Sequence, residues 1–297
     1  MYPRAFRYHR AATIQEASTL LSQLGEEAEL LAGGQSLIPL MKLRFANPAH
    51  LVDLGFIPDL SFIKDDGETL RFGPMTRHAE IDHSSVASKI PIVHDCAAGI
   101  ADVQIRNRGT IGGSLAEADP SGDWANVLLT LDTQLRVANS HGERTIPLSD
   151  FIKDAYTTEL AHDELITEIL VQKPGQNTGG AYFAFKRTAP VYPTASVAVQ
   201  LTMAGDTCTD ASIILGCVGL TPVKAKDAES ALRGNPMNGR ALISAIEAAR
   251  SAADPQPDMR GSADYKRQVI ASLTKRAIEA AAARARGEQV NVSHLYA

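Results

Sequence analysis

The sequence predicts an α+β fold, and three observations carry that prediction. Helical and strand patterns follow one another in mixed order. Turn residues are plentiful between them. Residues 196–203 alternate apolar and polar positions, as a half-buried strand should. A doubly wound parallel sheet would need regular strand–helix alternation, which this chain does not show.

The elements follow in order. Thr13-Ile14-Gln15-Glu16 has the form of a capping box, with Ala17, Leu20, Leu21 and Leu24 on one helical face and Gly25 as the stop. Glu29–Ala32 reads as a short buried strand, Ser36–Phe45 as a helix with Pro39 in its first turn, and His50–Leu54 as a second strand. Thr69–Phe72 is strand-like and Ile92–Val103 reads as one helix. Asn126–Leu131 reads as a short helix and Gln134–Ala138 as a strand. Pro174-Gly175-Gln176-Asn177-Thr178-Gly179-Gly180 is turn-rich and marks a boundary. Beyond it come strands at Ala181–Lys186, across Val197, Val199, Leu201 and Met203, and at Ala211–Val218. Helices follow from Pro222, the clearest being Asp264–Ala283, with Val269, Leu273 and Ala277 on one side.

Composition narrows the function. The chain has 297 residues, 44% of them hydrophobic and a formal charge of −5, which argues against nucleic acid as the main partner. Its three cysteines, Cys96, Cys208 and Cys217, form no C-x-x-C pair and cannot house an iron–sulfur cluster; they read as reduced thiols. Eight histidines lack metal-ligand spacing, so no metal site is expected, and no motif pairs a nucleophile with a base. The N-terminus lacks a signal-peptide core, and no run of about 18 apolar residues suggests a membrane span. A cytoplasmic protein is expected.

Two segments share one signature. Ala32-Gly33-Gly34-Gln35-Ser36 and Thr110-Ile111-Gly112-Gly113-Ser114 each hold a glycine pair followed by small polar residues. Successive N–H groups in such a turn can form an anion-binding concavity, and glycine admits a phosphate close to the main chain. Two such loops suit a pyrophosphate held from both sides; both also read as ordinary tight turns. The G-x-G-x-x-G and G-x-x-x-x-G-K-[ST] fingerprints are absent.

The first loop, followed by Met41-Lys42-Leu43-Arg44 and Leu51-Val52-Asp53-Leu54, resembles the FAD-binding medium subunits of molybdenum hydroxylases. Carbon monoxide dehydrogenase medium subunits and the flavin domain of xanthine dehydrogenase belong to that family. Ile105 to Ser114, then Ala118-Asp119-Pro120 and Asp123, resemble its second FAD motif, and Gly261 to Arg267 its last segment. The resemblance implies a PCMH-type, vanillyl-alcohol-oxidase-like FAD domain over residues 1–176, with lobes of about 1–56 and 57–176. A smaller α+β domain follows over 177–290, then a tail, 291–297.

It also implies roles for residues. Ala32 to Ser36 and Thr110 to Ser114 would hold the pyrophosphate, and Ala118 and Asp119 continue that wall. Asp123 would bind ribityl and ribose hydroxyls, although it also reads as a helix cap. Ile100 would line the adenine side. Leu165 or Ile166 would lie against the flavin, unless they are plain core. Lys186 would bind the isoalloxazine carbonyl edge; without the resemblance it reads as a solvated lysine. Tyr192 would cover the flavin face. In Ala189-Pro190-Val191-Tyr192-Pro193, Val191 stands where the family has a carboxylate and Pro193 where it has alanine. Glu117 stands where many relatives have histidine. Arg106 and Arg108 could steer an anionic cofactor or contact a partner, or be solvated loop residues.

The implied function is an FAD-carrying electron-transfer subunit. It would take electrons from two [2Fe–2S] clusters of a small partner, while a large partner carries the molybdenum–pterin cofactor, in a dimer of heterotrimers. A stand-alone flavin oxidase or reductase of the same superfamily is the alternative, and a non-enzymatic nucleotide-binding module is a third reading.

Overall fold

A computed structural model describes residues 2–188 and 191–292. The first lobe is a small parallel sheet in which His50–Asp53 lies between Arg7–Arg10 and Ala28–Leu31. The Ile14–Leu24 helix covers it. Thr13 Oγ1 accepts from the Glu16 N–H at 3.0 Å, and Glu16 Oε2 accepts from the Ala12 N–H at 2.7 Å. The box therefore closes one residue before the cap. Gly25 ends the helix at φ +58°, a conformation glycine adopts without strain.

The second lobe is an antiparallel five-stranded sheet. Its order is Ile63–Asp66, Thr69–Phe72, Leu165–Gln172, Gln134–Ala138, Glu143–Pro147. The strand predicted at Gln134–Ala138 has those bounds. The helix expected over Ile92–Val103 is two helices, Pro91–Gly99 and Val103–Arg106. The chain breaks at Ile100 and Ala101, the latter at φ +42°. Asp102 then caps the second helix, its Oδ1 accepting from the Ile105 N–H at 2.8 Å. The helix expected at Asn126–Leu131 is shifted to Trp124–Leu128.

The third unit is an antiparallel sheet of Thr178–Phe185, Ala195–Ala204, Thr207–Gly216 and Val223–Lys224. Helices Lys226–Leu232, Gly239–Ala252 and Ala263–Ala285 complete it. Gly179 lies so close to the last helix that a Cβ there would meet Ala281 O and Ala285 N. The Ala195–Ala204 strand was expected to be half buried, but it is buried on both faces. Val197, Val199 and Leu201 pack on this unit's own helices. The opposite row, Tyr182, Ala198 and Ile214 in register on three strands, packs into the core of the second lobe. The polar side of the alternation is small enough to be covered by a neighbouring core.

A buried ion pair fastens the same seam. Asp95 and Arg284 meet at 2.6 and 2.9 Å, and Asp95 Oδ2 also accepts from the Tyr182 N–H at 3.2 Å. Arg284 donates further to Gly180 O and Val290 O. With every donor partnered, the desolvation of both charges is offset locally.

Candidate functional site

The two glycine loops meet. A Cβ on Gly33 would strike Arg108 O and come within 2.8 Å of the Gly109 Cα. Glycine is required there by the neighbouring backbone. Gly34 sits at φ +73°, which favours glycine for a second reason. The turn feeds the Leu37–Leu43 helix, and Ser36 occupies its cap position without a side-chain cap bond. Among the described residues, the N–H groups of Gly33, Gly34, Gln35 and Ser36 donate to no protein acceptor.

The second loop behaves otherwise. It begins the Ile111–Glu117 helix, capped by Thr110. The Ile111 N–H donates to Thr76 O, that of Gly112 to Pro74 O, that of Gly113 to Thr110 Oγ1, and that of Ser114 to Thr110 O. Its amides from Ile111 to Ser114 are spent within the protein. Gly112 is required because a Cβ would press on Pro74, 2.7 Å from its carbonyl oxygen.

Between the loops opens a cleft whose empty space, open mouth included, is ≈ 1090 Å³. Ala32, Gly33, Gly34, Gln35 and Ser36 form one wall, and Thr110, Gly113, Ser114, Asp119 and Asp123 the other. Ile100, Lys186 and Tyr192 complete it, with Val191 in the place expected for a carboxylate. Five residues predicted to touch a cofactor do not line this cleft. Ile111 is buried, Gly112 lines a second cavity, and Ala118 closes the helix in a left-handed conformation, its side chain buried. Leu165 and Ile166 line that second cavity too, which borders the first at Leu30, Ala32, Gly113 and Glu117. Ala189 and Pro190 lie outside the described residues, as do 293–297 of the tail.

Asp123 is not a side-chain cap. Its carboxylate accepts from the Tyr182 hydroxyl at 2.6 Å and faces the cleft, 6% exposed. Tyr182 comes from the third unit, so the wall is built across the seam. Lys186 is not a solvated lysine either. It is 5% exposed, and its Nζ donates to Gly99 O at 2.5 Å, beside Ile100. It does not line the second cavity where Leu165 and Ile166 stand. Arg106 is held too. It donates to Ile100 O at 2.8 Å, fixing the break between the two helices.

Titratable groups gather at the junction of the cavities. Burial first, then Asp119 and Glu29, push the Glu117 carboxyl up to about 7. Burial and Asp119 raise the Tyr192 phenol. The Arg260 guanidinium stands 5.7 Å from the Tyr192 ring and donates to Ser121 Oγ. Sequence reasoning missed His78. Its ring lines the cleft, and its Nδ1 accepts from the buried Trp124 Nε1–H at 3.0 Å. Burial and the nearby Arg106 hold its pKa down to about 4.

A cleft walled by unspent amides, hydroxyls and a buried lysine is built for an extended, acceptor-rich dinucleotide. Residues 4–173 match the family described as FAD binding domain in molybdopterin dehydrogenase, and residues 180–281 the CO dehydrogenase flavoprotein C-terminal domain. The carbon monoxide dehydrogenase medium chain of Hydrogenophaga pseudoflava is 38% identical over 96% of this chain and 99% of that one. The nicotine 6-hydroxylase medium subunit of Paenarthrobacter nicotinovorans is 38% identical over 94% of this chain and 98% of that one. The solved structure of quinoline 2-oxidoreductase from Pseudomonas putida 86 superposes with a TM-score of 0.91 at 31% identity, covering 96% of this chain and 99% of that one. The chain belongs to the family of FAD-binding medium subunits of molybdenum hydroxylases. It is an oxidoreductase subunit with an FAD-binding domain and a flavoprotein C-terminal domain. Among the described residues no helix is long and apolar enough to cross a membrane.

Proposed function

We propose that the cleft between the glycine loops holds FAD and that the chain relays electrons within a cytoplasmic molybdenum hydroxylase. The observation that carries this reading is the row of unspent N–H groups from Gly33 to Ser36, facing Ser114 across the cleft. These groups fit a pyrophosphate, with the Ser36 and Ser114 hydroxyls as added donors. Asp123, held by Tyr182, accepts from sugar hydroxyls. Ile100 lines the adenine side, and Lys186, which donates to Gly99 O beside it, is the cation available to the isoalloxazine carbonyl edge. Tyr192, Leu165 and Ile166 are left to flank the isoalloxazine, near Glu117. Ile111, Gly112 and Ala118 act by holding the second loop in place.

When bound, FAD supplies the exchange between one-electron and two-electron carriers. The protein positions it, excludes water from its buried half and supplies donors for its charged centre. Electrons would arrive from [2Fe–2S] clusters on a small partner, and a large partner would hold the molybdenum–pterin cofactor, in a dimer of heterotrimers. An external acceptor would take the electron pairs. The FAD domain would extend over residues 1–176 and the C-terminal domain over 177–290.

The test is co-purification with the neighbouring gene products, followed by a flavin spectrum and rapid-mixing reduction. FAD bound to this chain and reduced only when the partners are present is the expected result. A chain that holds no FAD when offered an excess would overturn the reading. Reduction of the isolated chain by a small organic substrate would favour a stand-alone oxidase.

A further inference from the structure

We propose that His78 is a cofactor-binding residue of fixed tautomer: its Nε2–H donates a hydrogen bond to an acceptor atom on the FAD, and Trp124 is the positioning residue that sets it. The proposal rests on the FAD reading above and deepens it.

The tautomer follows from donor chemistry. An indole N–H can only donate. Trp124 Nε1 stands 3.0 Å from His78 Nδ1, so Nδ1 is the acceptor. A neutral imidazole accepting at Nδ1 carries its hydrogen on Nε2. Both residues are buried, Trp124 at 0% and His78 at 5% exposure. The backbone around them is pinned as well. The His78 N–H donates to Gly109 O at 3.0 Å, and Arg77 bridges to Thr110. With the backbone fixed, the imidazole cannot swing away without breaking the bond from Trp124.

The Nε2–H has a direction and lacks a protein partner. Among the described residues nothing accepts from it, and the ring lines the cleft. Gly109 keeps the path open, since a Cβ at that position would stand 2.7 Å from Nε2. The donor is open to the cleft, where water satisfies it until an acceptor atom of a bound ligand takes that place. The donor lies behind the point where Gly33 meets Gly109, beside the unspent amides of the first loop. Its partner is therefore an oxygen or ring nitrogen in the pyrophosphate–adenosine part of the cofactor. Charge matches as well. With Arg106 nearby and burial disfavouring the imidazolium, the group acts as a neutral donor.

The experiment has two arms, both on the full chain. In the first, histidine ring nitrogens are labelled with 15N and FAD is titrated in. The His78 resonances, assigned by their loss in His78→Gln, should show the Nε2–H tautomer and move when FAD binds. An Nδ1–H tautomer at His78, or a His78 Nε2 signal that ignores FAD, overturns the proposal. In the second, FAD dissociation constants are compared. His78→Phe should bind about 10–100-fold more weakly, the loss expected for an unpaired cofactor acceptor. His78→Gln, which keeps a donor, should recover most of that loss. Trp124→Phe should weaken binding less and release a mixture of tautomers, which a merely structural role for Trp124 would not produce. Unchanged affinity in His78→Phe overturns the role of His78 while leaving FAD binding intact. Absence of FAD binding in the unmodified chain overturns the underlying reading instead. If His78→Phe does not fold, the labelled spectrum of the unmodified chain decides.

Discussion

The two glycine loops look alike in sequence and do different work. The first, Gly33 to Ser36, lines the cleft, and among the described residues its amides donate to no protein acceptor. In the second, the amides of Ile111 to Ser114 are spent on Thr76, Pro74 and Thr110, and among the described residues only that of Thr110 has no protein acceptor. The glycines differ for the same reason. Gly33 is small so that one loop can lie on the other, whereas Gly112 is small so that its helix can lie on Pro74. A shared motif therefore reports a shared packing demand, and only the hydrogen-bond inventory separates the binding loop from the loop that supports it.

That difference can be broken by substitution. The largest expected effect is at Gly33. Gly33→Val should drive the loops apart and reduce FAD affinity by about 100-fold or more, with the C-terminal domain still folded. Flavin-to-protein ratio and domain-resolved hydrogen exchange check both halves. Full flavin content in that variant would contradict the contact seen between the loops. Gly112→Ala should do the reverse, lowering stability by about 1–3 kcal/mol through overpacking, with FAD affinity largely restored in the folded fraction. Denaturant unfolding with and without FAD separates the two.

Smaller effects sharpen the contrast. Glu117 ends the helix of the second loop, and its carboxyl is pushed up to about 7 from 4.5. The folded chain thus holds a proton that the unfolded chain has released between those values. Its stability falls as pH rises through that window, and the penalty is complete above about 7. Glu117→Gln should therefore be more stable than the parent at pH 8 by on the order of 1–2 kcal/mol, and closer to it at pH 4, in thermal melts of the FAD-free chain. Thr110→Ala should cost about 1 kcal/mol by removing a cap, again as a loss of melting temperature. Ser36→Ala, which caps nothing, should leave the melt unchanged and weaken FAD binding about fivefold. Equal effects of those two substitutions on the melt would erase the distinction between the loops.

Much of this was legible in the residues. The Thr13 box, the Gly25 stop and the strand at Gln134–Ala138 follow from local chemistry, and the structure places them there. The break at Ile100 has a local mark in Gly99 and the capping Asp102, which the apolar run around it obscured, while its further support comes from the Arg106 side chain. The burial of Ala198 on the far face of its strand depends on a separate core. At the site, the glycine loops announced themselves, but which set of amides is free depends on Pro74 and Thr76, far from either motif in the pattern. His78 and Tyr182 gave no local signal. Each acts through a partner 46 or 59 residues away.

The Tyr182–Asp123 bond carries a consequence for biosynthesis. Tyr182 and Lys186 lie past the midpoint of the chain, and the Arg284 clamp that backs Tyr182 lies close to its end. A ribosome-bound chain that has finished the first two lobes still lacks a hydroxyl, an ammonium and a clamp that the cleft needs. The cleft wall is therefore complete only once the Ala263–Ala285 helix has packed against the seam.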